Sequence, residues 1–141
     1  MPDRSAAGRA HARPPGCAPG RRAVVVFDGA AYAVPYRLLR PGFRHCWVAL
    51  DEAGNWTVLE ARASALDVRT LAASDYDIAG FYRRRGFAVR ETCASPVGKA
   101  ARAVGFPLMT CVEVVKRVLG IDRAGVITPW QLYRYLENRD E

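Results

Sequence analysis

The feature that most constrains the fold is an amphipathic helix whose first residue is a cysteine. Thr110 and Glu113 form the Thr-x-x-Glu pattern of a capping box, which predicts that the helix begins at Cys111. The two faces of this helix separate by polarity, with Cys111, Val114, Val115 and Val118 on one side and Glu113, Lys116 and Arg117 on the other. Gly120 suits the C-terminal cap. A helix with one apolar face must pack against another layer of the fold.

The placement of Cys111 also predicts a chemical role. A thiol has an ordinary pKa of about 8.5, and a helix N-terminus or a nearby imidazolium stabilises the thiolate. The chain contains two histidines, His11 and His45, and His45 lies in an apolar run, residues 43–50, that is typical of a strand. Cys111 is therefore a candidate nucleophile and His45 its candidate base.

A second strand-like run, residues 56–61, follows and predicts a β-hairpin. If Leu50 lies opposite Asn55 across a four-residue loop, His45 lies opposite Glu60 on the same face of the sheet. A carboxylate at that point orients the imidazole and stabilises its charged form. We expect a register slip of two residues to separate the pair.

Structural interpretations of the same residues stay open. Cysteine is among the most buried residue types, so Cys111 is alternatively a core residue of the helix. His45 is alternatively a satisfied sheet histidine, and Glu60 a solvated strand residue that pairs with Arg44 or Arg62.

Together these residues resemble a known family, the circularly permuted, NlpC-like branch of the papain-like cysteine hydrolases, in which the histidine strand precedes the cysteine helix. The resemblance rests on residues 42–48, 58–61 and 110–117, and it extends from about residue 43 to residue 136. It implies an α+β fold, circularly permuted papain-like, with a small antiparallel β-sheet packed against the cysteine-bearing helix. It also implies that Cys111 is the nucleophile, His45 the base and Glu60 the residue that orients His45, with no cofactor.

The activity implied by the resemblance is that of a cysteine peptidase or amidase, acting on peptides or on the stem peptide of peptidoglycan. The lecithin retinol acyltransferase-like group carries an Asn-Cys-Glu-His type motif, whereas this chain has Thr-Cys-Val-Glu at residues 110–113, which argues against lipid acyl transfer. No glutamine precedes Cys111, because the only glutamine is Gln131, so an oxyanion donor besides the Cys111 N–H must come from elsewhere. Some permuted members are inactive, and a non-catalytic assembly protein of a phage or bacterium is therefore an alternative.

Length and composition predict one domain preceded by an arm. The chain has 141 residues, half of them hydrophobic, which suits a single domain over residues 23–141. Residues 1–22 are rich in Arg and Pro without apolar periodicity, so we predict a disordered basic arm. No apolar run has the length of a secretory signal or a membrane span, which predicts a cytoplasmic protein without a membrane span, or one associated with a phage.

The four cysteines are scattered, without a Cys-x-x-C pair, and this spacing favours free thiols in a reducing compartment. Cys17 lies in the arm, and Cys46 and Cys93 are interpreted as small core residues. Adjacent His45 and Cys46 point to opposite faces of a strand, which disfavours a shared metal site.

A net charge of +7 and a pI near 9.7 permit another function, the binding of nucleic acid or an anionic surface. The run Arg83-Arg84-Arg85 and the basic arm are its best evidence. For a hydrolase, the same arm suits contact with an anionic polymer such as the cell wall.

The remaining patterns predict the supporting elements. Residues 23–27 suit a buried strand, residues 72–85 a helix, and residues 87–92 another strand. Thr128-Pro129 begins a helix that buries Leu132, Tyr135 and Leu136. Residues 95–109 carry a mixed signal, with a turn of helix over 99–104 that is positioned to shape a substrate cleft.

Overall fold

In the computed structural model the described residues are Cys17, 22–30, 37–62, 65–94 and 110–139. Within them the strands are β1 (Arg22–Asp28), β2 (His45–Glu52), β3 (Asn55–Arg62), β4 (Ala65–Ala73) and β5 (Ala88–Cys93). The helices are α1 (Ile78–Arg84), α2 (Cys111–Leu119) and α3 (Pro129–Arg139). The strands form one antiparallel sheet in the order β4-β3-β2-β1-β5, so the predicted α+β class with an antiparallel sheet is confirmed.

Both faces of the central strands are covered by helices. Residues 23–27 of β1 are all buried, because alternate side chains pack against different layers. On one face Val25 and Phe27 join a core formed with α2 and α3, and on the other Val24 and Val26 join a core formed with α1. The cysteine-bearing helix α2 therefore lies directly on the sheet and packs against β2.

Helix α2 has the predicted bounds and caps. The Thr110 hydroxyl accepts a hydrogen bond from the Glu113 backbone N–H at 3.2 Å, and Gly120 ends the helix in the left-handed conformation at φ 68°. The predicted polar face is wrong at Lys116, which is 4% exposed. Its ammonium donates to the Glu113 carboxylate at 2.8 Å and to the Val126 carbonyl at 3.0 Å, and these partners offset its burial.

The β2–β3 hairpin has a shorter loop than the sequence predicts. Glu52 pairs with Asn55, and the loop is Ala53-Gly54, with φ of 51° and 80°. Positive φ at both residues is the type I′ turn, whose twist matches that of the flanking strands. The strands consequently continue further toward the turn, and Leu50 lies opposite Thr57 rather than Asn55. The predicted register was wrong by two residues.

The predicted helix over residues 72–85 begins too early. Residues 65–73 form the edge strand β4, which the sequence analysis did not identify. Its side chains are mostly exposed, so it lacks the apolar alternation of a half-buried strand. Helix α1 begins after Asp77, whose carboxylate accepts a hydrogen bond from the Gly80 N–H at 2.7 Å.

Helix α3 begins where the Thr128-Pro129 pattern predicts. The Gln131 N–H donates to the Thr128 hydroxyl at 3.2 Å, and the Gln131 side-chain oxygen accepts from the Thr128 N–H at 3.0 Å, which completes a capping box. Leu132 and Leu136 are buried, whereas Tyr135 is only partly buried. The predicted helical turn over residues 99–104 lies outside the described residues.

The N-terminal arm falls mostly outside the described residues, with two informative exceptions. Strand β1 begins at Arg22, within the predicted arm. Cys17 is buried and forms a disulfide with Cys93 at the end of β5. The interpretation of these two residues as free thiols was therefore wrong, because the fold brings together cysteines that are 76 residues apart.

Among the described residues, no helix has the length and apolar character needed to cross a membrane.

Candidate active site

Three elements bring the predicted site residues together. His45 is the first residue of β2, Cys111 is the first residue of α2, and Glu60 lies in β3 beside β2. His45 is 7% exposed and Glu60 is 4% exposed, whereas Cys111 is half-buried. Cys111 is thus the most exposed of the three residues.

The imidazole of His45 lies between Cys111 and Glu60. Its Nε2 donates a hydrogen bond to Glu60 Oε1 at 2.9 Å, and its side chain also hydrogen-bonds to Cys111. The same imidazole therefore contacts both the sulphur and the carboxylate. The three side chains form a thiol–imidazole–carboxylate chain.

The register slip does not separate His45 from Glu60. In the observed register Val48 lies opposite Leu59, so Glu60 lies across from Trp47 on the face that also carries His45. Diagonal neighbours on one sheet face are about 7–8 Å apart at the backbone, within reach of long side chains. The expectation that a slip of two residues would part the pair was therefore wrong.

Glu60 is held as a carboxylate by its neighbours. Its Oε2 accepts hydrogen bonds from Arg62 at 3.2 Å and from Arg69 at 3.3 Å, while Oε1 accepts from His45. Burial acts to raise the pKa of Glu60, but the hydrogen bonds from His45 and Arg62 lower the pKa below its ordinary value. The predicted pairing with Arg62 thus coexists with the orienting contact. Arg69 comes from β4, which the sequence analysis missed.

The sulphur of Cys111 is stabilised as a thiolate. A hydrogen bond from the Cys46 thiol is the largest cause that lowers its pKa; burial opposes the shift, and His45 and the Cys46 backbone N–H assist it. The resulting pKa of Cys111 is about 5. Burial acts to lower the pKa of His45, but Cys111 and Glu60 together raise it above its ordinary value. Both shifts favour the thiolate–imidazolium form of the pair over the neutral form.

Cys46 is the site residue that sequence reasoning missed. It is fully buried, its thiol is free, and burial followed by the hydrogen bond to Cys111 raises its pKa well above the ordinary value. His45 and Cys46 point to opposite faces of β2, yet both contact Cys111. Both contacts form because Cys111, the first residue of α2, lies beside His45, the first residue of β2. In the sequence, the one signal that Cys46 belongs to the site was its position next to His45.

Trp47 covers the remaining side of the imidazole. The centroid of the Trp47 ring lies 5.8 Å from that of the His45 ring. The ring centroids of Tyr82 and Phe87 lie 5.6 Å and 5.5 Å, respectively, from that of Trp47. The indole Nε1 is buried and has no hydrogen-bond partner among the described residues. The imidazole therefore lies at the edge of a cluster of three aromatic rings.

The described part of the chain contains no group of three or more His, Cys, Asp or Glu side chains that could hold a metal ion. The lowered pKa of Cys111 and its contact with His45 favour the chemistry of an activated thiolate beside an imidazole.

The three arginines that suggested nucleic-acid binding, Arg83-Arg84-Arg85, each contact a residue of the same fold. Arg83 pairs with Glu91 at 3.0 Å, Arg84 with Asp77 at 3.6 Å, and the Arg85 guanidinium lies 4.0 Å from the centroid of the Phe81 ring. Each arginine therefore has a partner in its own chain.

No family model, curated protein or solved structure matches this chain. The geometry and electrostatics of the described residues are the basis for assigning a function.

Proposed function

We propose that this protein is a cysteine hydrolase that cleaves an amide bond, with Cys111 as the nucleophile, His45 as the general acid and base, and Glu60 as the positioning residue. The observation that carries the proposal is the hydrogen-bonded chain from Cys111 through His45 to Glu60. Buried His–Glu pairs also occur for structural reasons, but a cysteine pKa of about 5 beside the His45 imidazole is what a thiolate nucleophile requires.

In the proposed reaction the Cys111 thiolate attacks the carbonyl carbon of the amide and forms a tetrahedral oxyanion. The Cys111 backbone N–H lies in the first turn of α2, where the helix itself supplies no acceptor, and in this proposal it binds that oxyanion. The His45 imidazolium then gives its proton to the leaving amine as the carbon–nitrogen bond breaks. The product of this half-reaction is a thioester on Cys111.

Water completes the cycle. His45, now neutral, removes a proton from a water molecule that attacks the thioester, and the Cys111 thiolate leaves with an acid as the second product. Glu60 stays ionised throughout, because two arginines and the imidazole share its oxygens. Its part is to hold the tautomer and the ring orientation of His45.

The order of the elements supports a family assignment as part of this proposal. The histidine strand precedes the cysteine helix along the chain, as in the circularly permuted, NlpC-like branch of the papain-like hydrolases. By that resemblance the substrate class is a peptide or the stem peptide of peptidoglycan. The Cys17–Cys93 disulfide favours an oxidising compartment, where such a polymer lies, over the cytoplasm that the sequence analysis favoured.

The proposal is tested by the reactivity of each cysteine toward iodoacetamide, mapped on peptides over a range of pH in the native full chain. We expect Cys111 to react rapidly near pH 6 and to lose reactivity through about pH 5, while buried Cys46 reacts slowly and serves as the internal reference. In His45→Ala the low-pH reactivity should disappear, whereas His11→Ala, which removes the chain's other histidine, should match the wild type.

Turnover is tested on peptides and on purified peptidoglycan fragments. We expect Cys111→Ala to lower cleavage by about 10³-fold or more, as loss of a nucleophile does. A Cys111 that titrates like an ordinary thiol in both the wild type and His45→Ala would overturn the hydrolase proposal. That result would favour a non-catalytic assembly role.

A further inference from the structure

The candidate site contains a second thiol, Cys46, which donates a hydrogen bond to Cys111 but forms no covalent bond in the proposed hydrolysis. Cys46 and Cys111 are both free, and their side chains are hydrogen-bonded to each other. Cys46 is completely buried in the core between the sheet and α2, against which Cys111 packs from the rim. A thiol–thiol contact inside a catalytic site is a liability in an oxidising environment unless it has a function.

We propose that Cys46 is the resolving thiol of Cys111, so that oxidation converts the site into a reversible Cys46–Cys111 disulfide. The inference rests on the reactive thiolate of the proposed function and adds a modification site to it. The oxidant is a hydroperoxide such as hydrogen peroxide.

The chemistry proceeds in two balanced steps. The Cys111 thiolate attacks one peroxide oxygen, the O–O bond breaks, and with one proton the products are a Cys111 sulfenic acid and water. The Cys46 sulphur then attacks the Cys111 sulphur, the S–O bond breaks, and the departing hydroxide takes the Cys46 proton to form a second water. Two thiols lose two electrons in total, and the peroxide accepts them.

The positions of the two residues decide which thiol has which role. Cys111 is half-buried at the helix end and meets the oxidant first, while Cys46 is shielded from solvent on every side. The two side chains are already in hydrogen-bond contact where α2 packs on β2, so the sulphurs start close to the separation of about 2.05 Å that a disulfide needs. Formation of that bond occupies the nucleophile and silences hydrolysis until a reductant restores both thiols.

The test is treatment of the native full chain with one equivalent of hydrogen peroxide, followed by peptide mapping without reduction. We expect a cross-linked peptide that joins Cys46 to Cys111 and has lost two hydrogens. The Cys17–Cys93 linkage, which should be present before and after treatment, controls for disulfide exchange during digestion. Dithiothreitol should then restore the alkylation rate of Cys111 to its starting value.

Cys46→Ser is the matched variant, because it keeps a hydrogen-bond donor of similar size and cannot form the bond. Sulfinic acid contains two added oxygens and therefore consumes two peroxides, so the wild type and this variant are also compared at an excess of hydrogen peroxide. In the variant we expect a second peroxide to convert the Cys111 sulfenic acid to sulfinic acid, which dithiothreitol does not reverse, so that recovered thiol falls by about tenfold relative to the wild type at the same dose. The cross-link in the wild type tests the proposal independently if the variant does not fold.

The outcomes separate this proposal from the proposed function. If Cys111 alkylates rapidly near pH 6 but oxidises irreversibly without a Cys46 cross-link, the resolving role is wrong and the hydrolase proposal survives. If Cys111 reacts with neither reagent, both proposals fail.

Discussion

Among the described residues, the dipeptide His45-Cys46 supplies the hydrogen bonds to the sulphur of Cys111. The imidazole, the Cys46 thiol and the Cys46 backbone N–H all contact it, so one strand end supplies three stabilising groups. A hydrogen bond to a charged group contributes about 1.5–3 kcal/mol, which is enough for each contact to shift a pKa by a unit or more. The acidity of Cys111 is therefore a property of its neighbours on β2 together with its helix.

Replacement of Cys46 by alanine tests its share of this effect. We expect Cys46→Ala to raise the pKa of Cys111 from about 5 by about 1–2 units, because a donor to the thiolate is lost. Cys46→Ser retains an O–H donor and should shift the pKa less. The measurement is the pH dependence of the thiolate ultraviolet absorbance, with Cys111→Ala subtracted. Equal values in the wild type and the alanine variant would contradict the assigned hydrogen bond.

Neutralising Glu60 tests the other end of the chain of contacts. The carboxylate raises the pKa of His45, so Glu60→Gln should lower that pKa, and the imidazolium should be lost at lower pH than in the wild type. The alkaline limb of the pH–activity profile then moves toward lower pH, while the acid limb set by Cys111 stays near pH 5. Titration of the His45 ring by nuclear magnetic resonance measures the shift directly. Glu52→Gln, on the exposed hairpin, should leave it unchanged.

At the scale of elements, the site depends on where α2 begins and on what it packs against. The Thr110 cap fixes Cys111 as the first helical residue, at the positive end of the helix dipole. The packing of α2 on β2 then brings that end to His45. The site thus forms where the first residue of α2 packs beside the first residue of β2.

Removal of the helix cap should affect stability and reactivity together. Thr110→Ala removes the acceptor for the Glu113 N–H, so we expect the free energy of unfolding to fall by about 1 kcal/mol. Fraying of the first turn should also raise the pKa of Cys111. Thr110→Ser preserves the acceptor and is the control. Urea denaturation measures the change in stability, and cysteine alkylation measures the change in Cys111 reactivity. A destabilised variant with unchanged Cys111 reactivity would show that the helix end contributes little to stabilising the Cys111 thiolate.

The β2–β3 hairpin turn offers a substitution that should stabilise the fold. Ala53 has a φ of 51°, which costs an alanine free energy, and Asn-Gly is the preferred pair for a type I′ turn. Ala53→Asn should therefore raise the free energy of unfolding by about 0.5–1 kcal/mol. Gly54→Ala, at a φ of 80°, should lower it. Urea denaturation of both variants checks the sign, and a loss of stability in Ala53→Asn would argue against this turn.

The parts of the fold that the sequence predicted are those with local signals. The caps at Thr110 and Thr128 involve residues three positions apart, and they placed α2 and α3 correctly. The hairpin register depended on an Ala-Gly turn that carries a weaker signal than Asn-Gly. Strand β4 escaped notice because an exposed edge strand has no apolar alternation.

The parts of the site that sequence reasoning missed are tertiary. Arg69 contacts Glu60 because β4 pairs with β3, and Cys46 contacts Cys111 because a helix start meets a strand start. Neither contact can be predicted from the spacing of residues along the sequence. His45, Glu60 and Cys111 could be selected because each residue type suits a role and each lies on a recognisable element.

At the scale of the whole molecule, the fold covers both faces of the sheet and joins its N-terminal segment to an edge strand. Helices α2 and α3 lie on one face and α1 on the other, so the central strand β1 is buried throughout residues 23–27. Cys17 is disulfide-bonded to Cys93 at the end of β5, which among the described strands is an edge strand that pairs with β1. The disulfide links this edge to a segment that precedes the sheet.

The disulfide should stabilise the fold without tuning the site. Closing a loop over a separation of 76 residues restricts the unfolded chain, which in the chain-entropy treatment contributes about 4 kcal/mol. The double variant Cys17→Ser and Cys93→Ser should lose stability of that order in urea denaturation, and each single variant should lose about as much, because either change removes the bond. Neither residue contributes to the lowered pKa of Cys111, so its value near 5 should persist in every folded variant. A reductant would then have opposite effects on the molecule, weakening the fold through Cys17–Cys93 while keeping the Cys46–Cys111 pair in its reactive form. A raised pKa of Cys111 in the double variant would show instead that the edge of the sheet and the site are coupled.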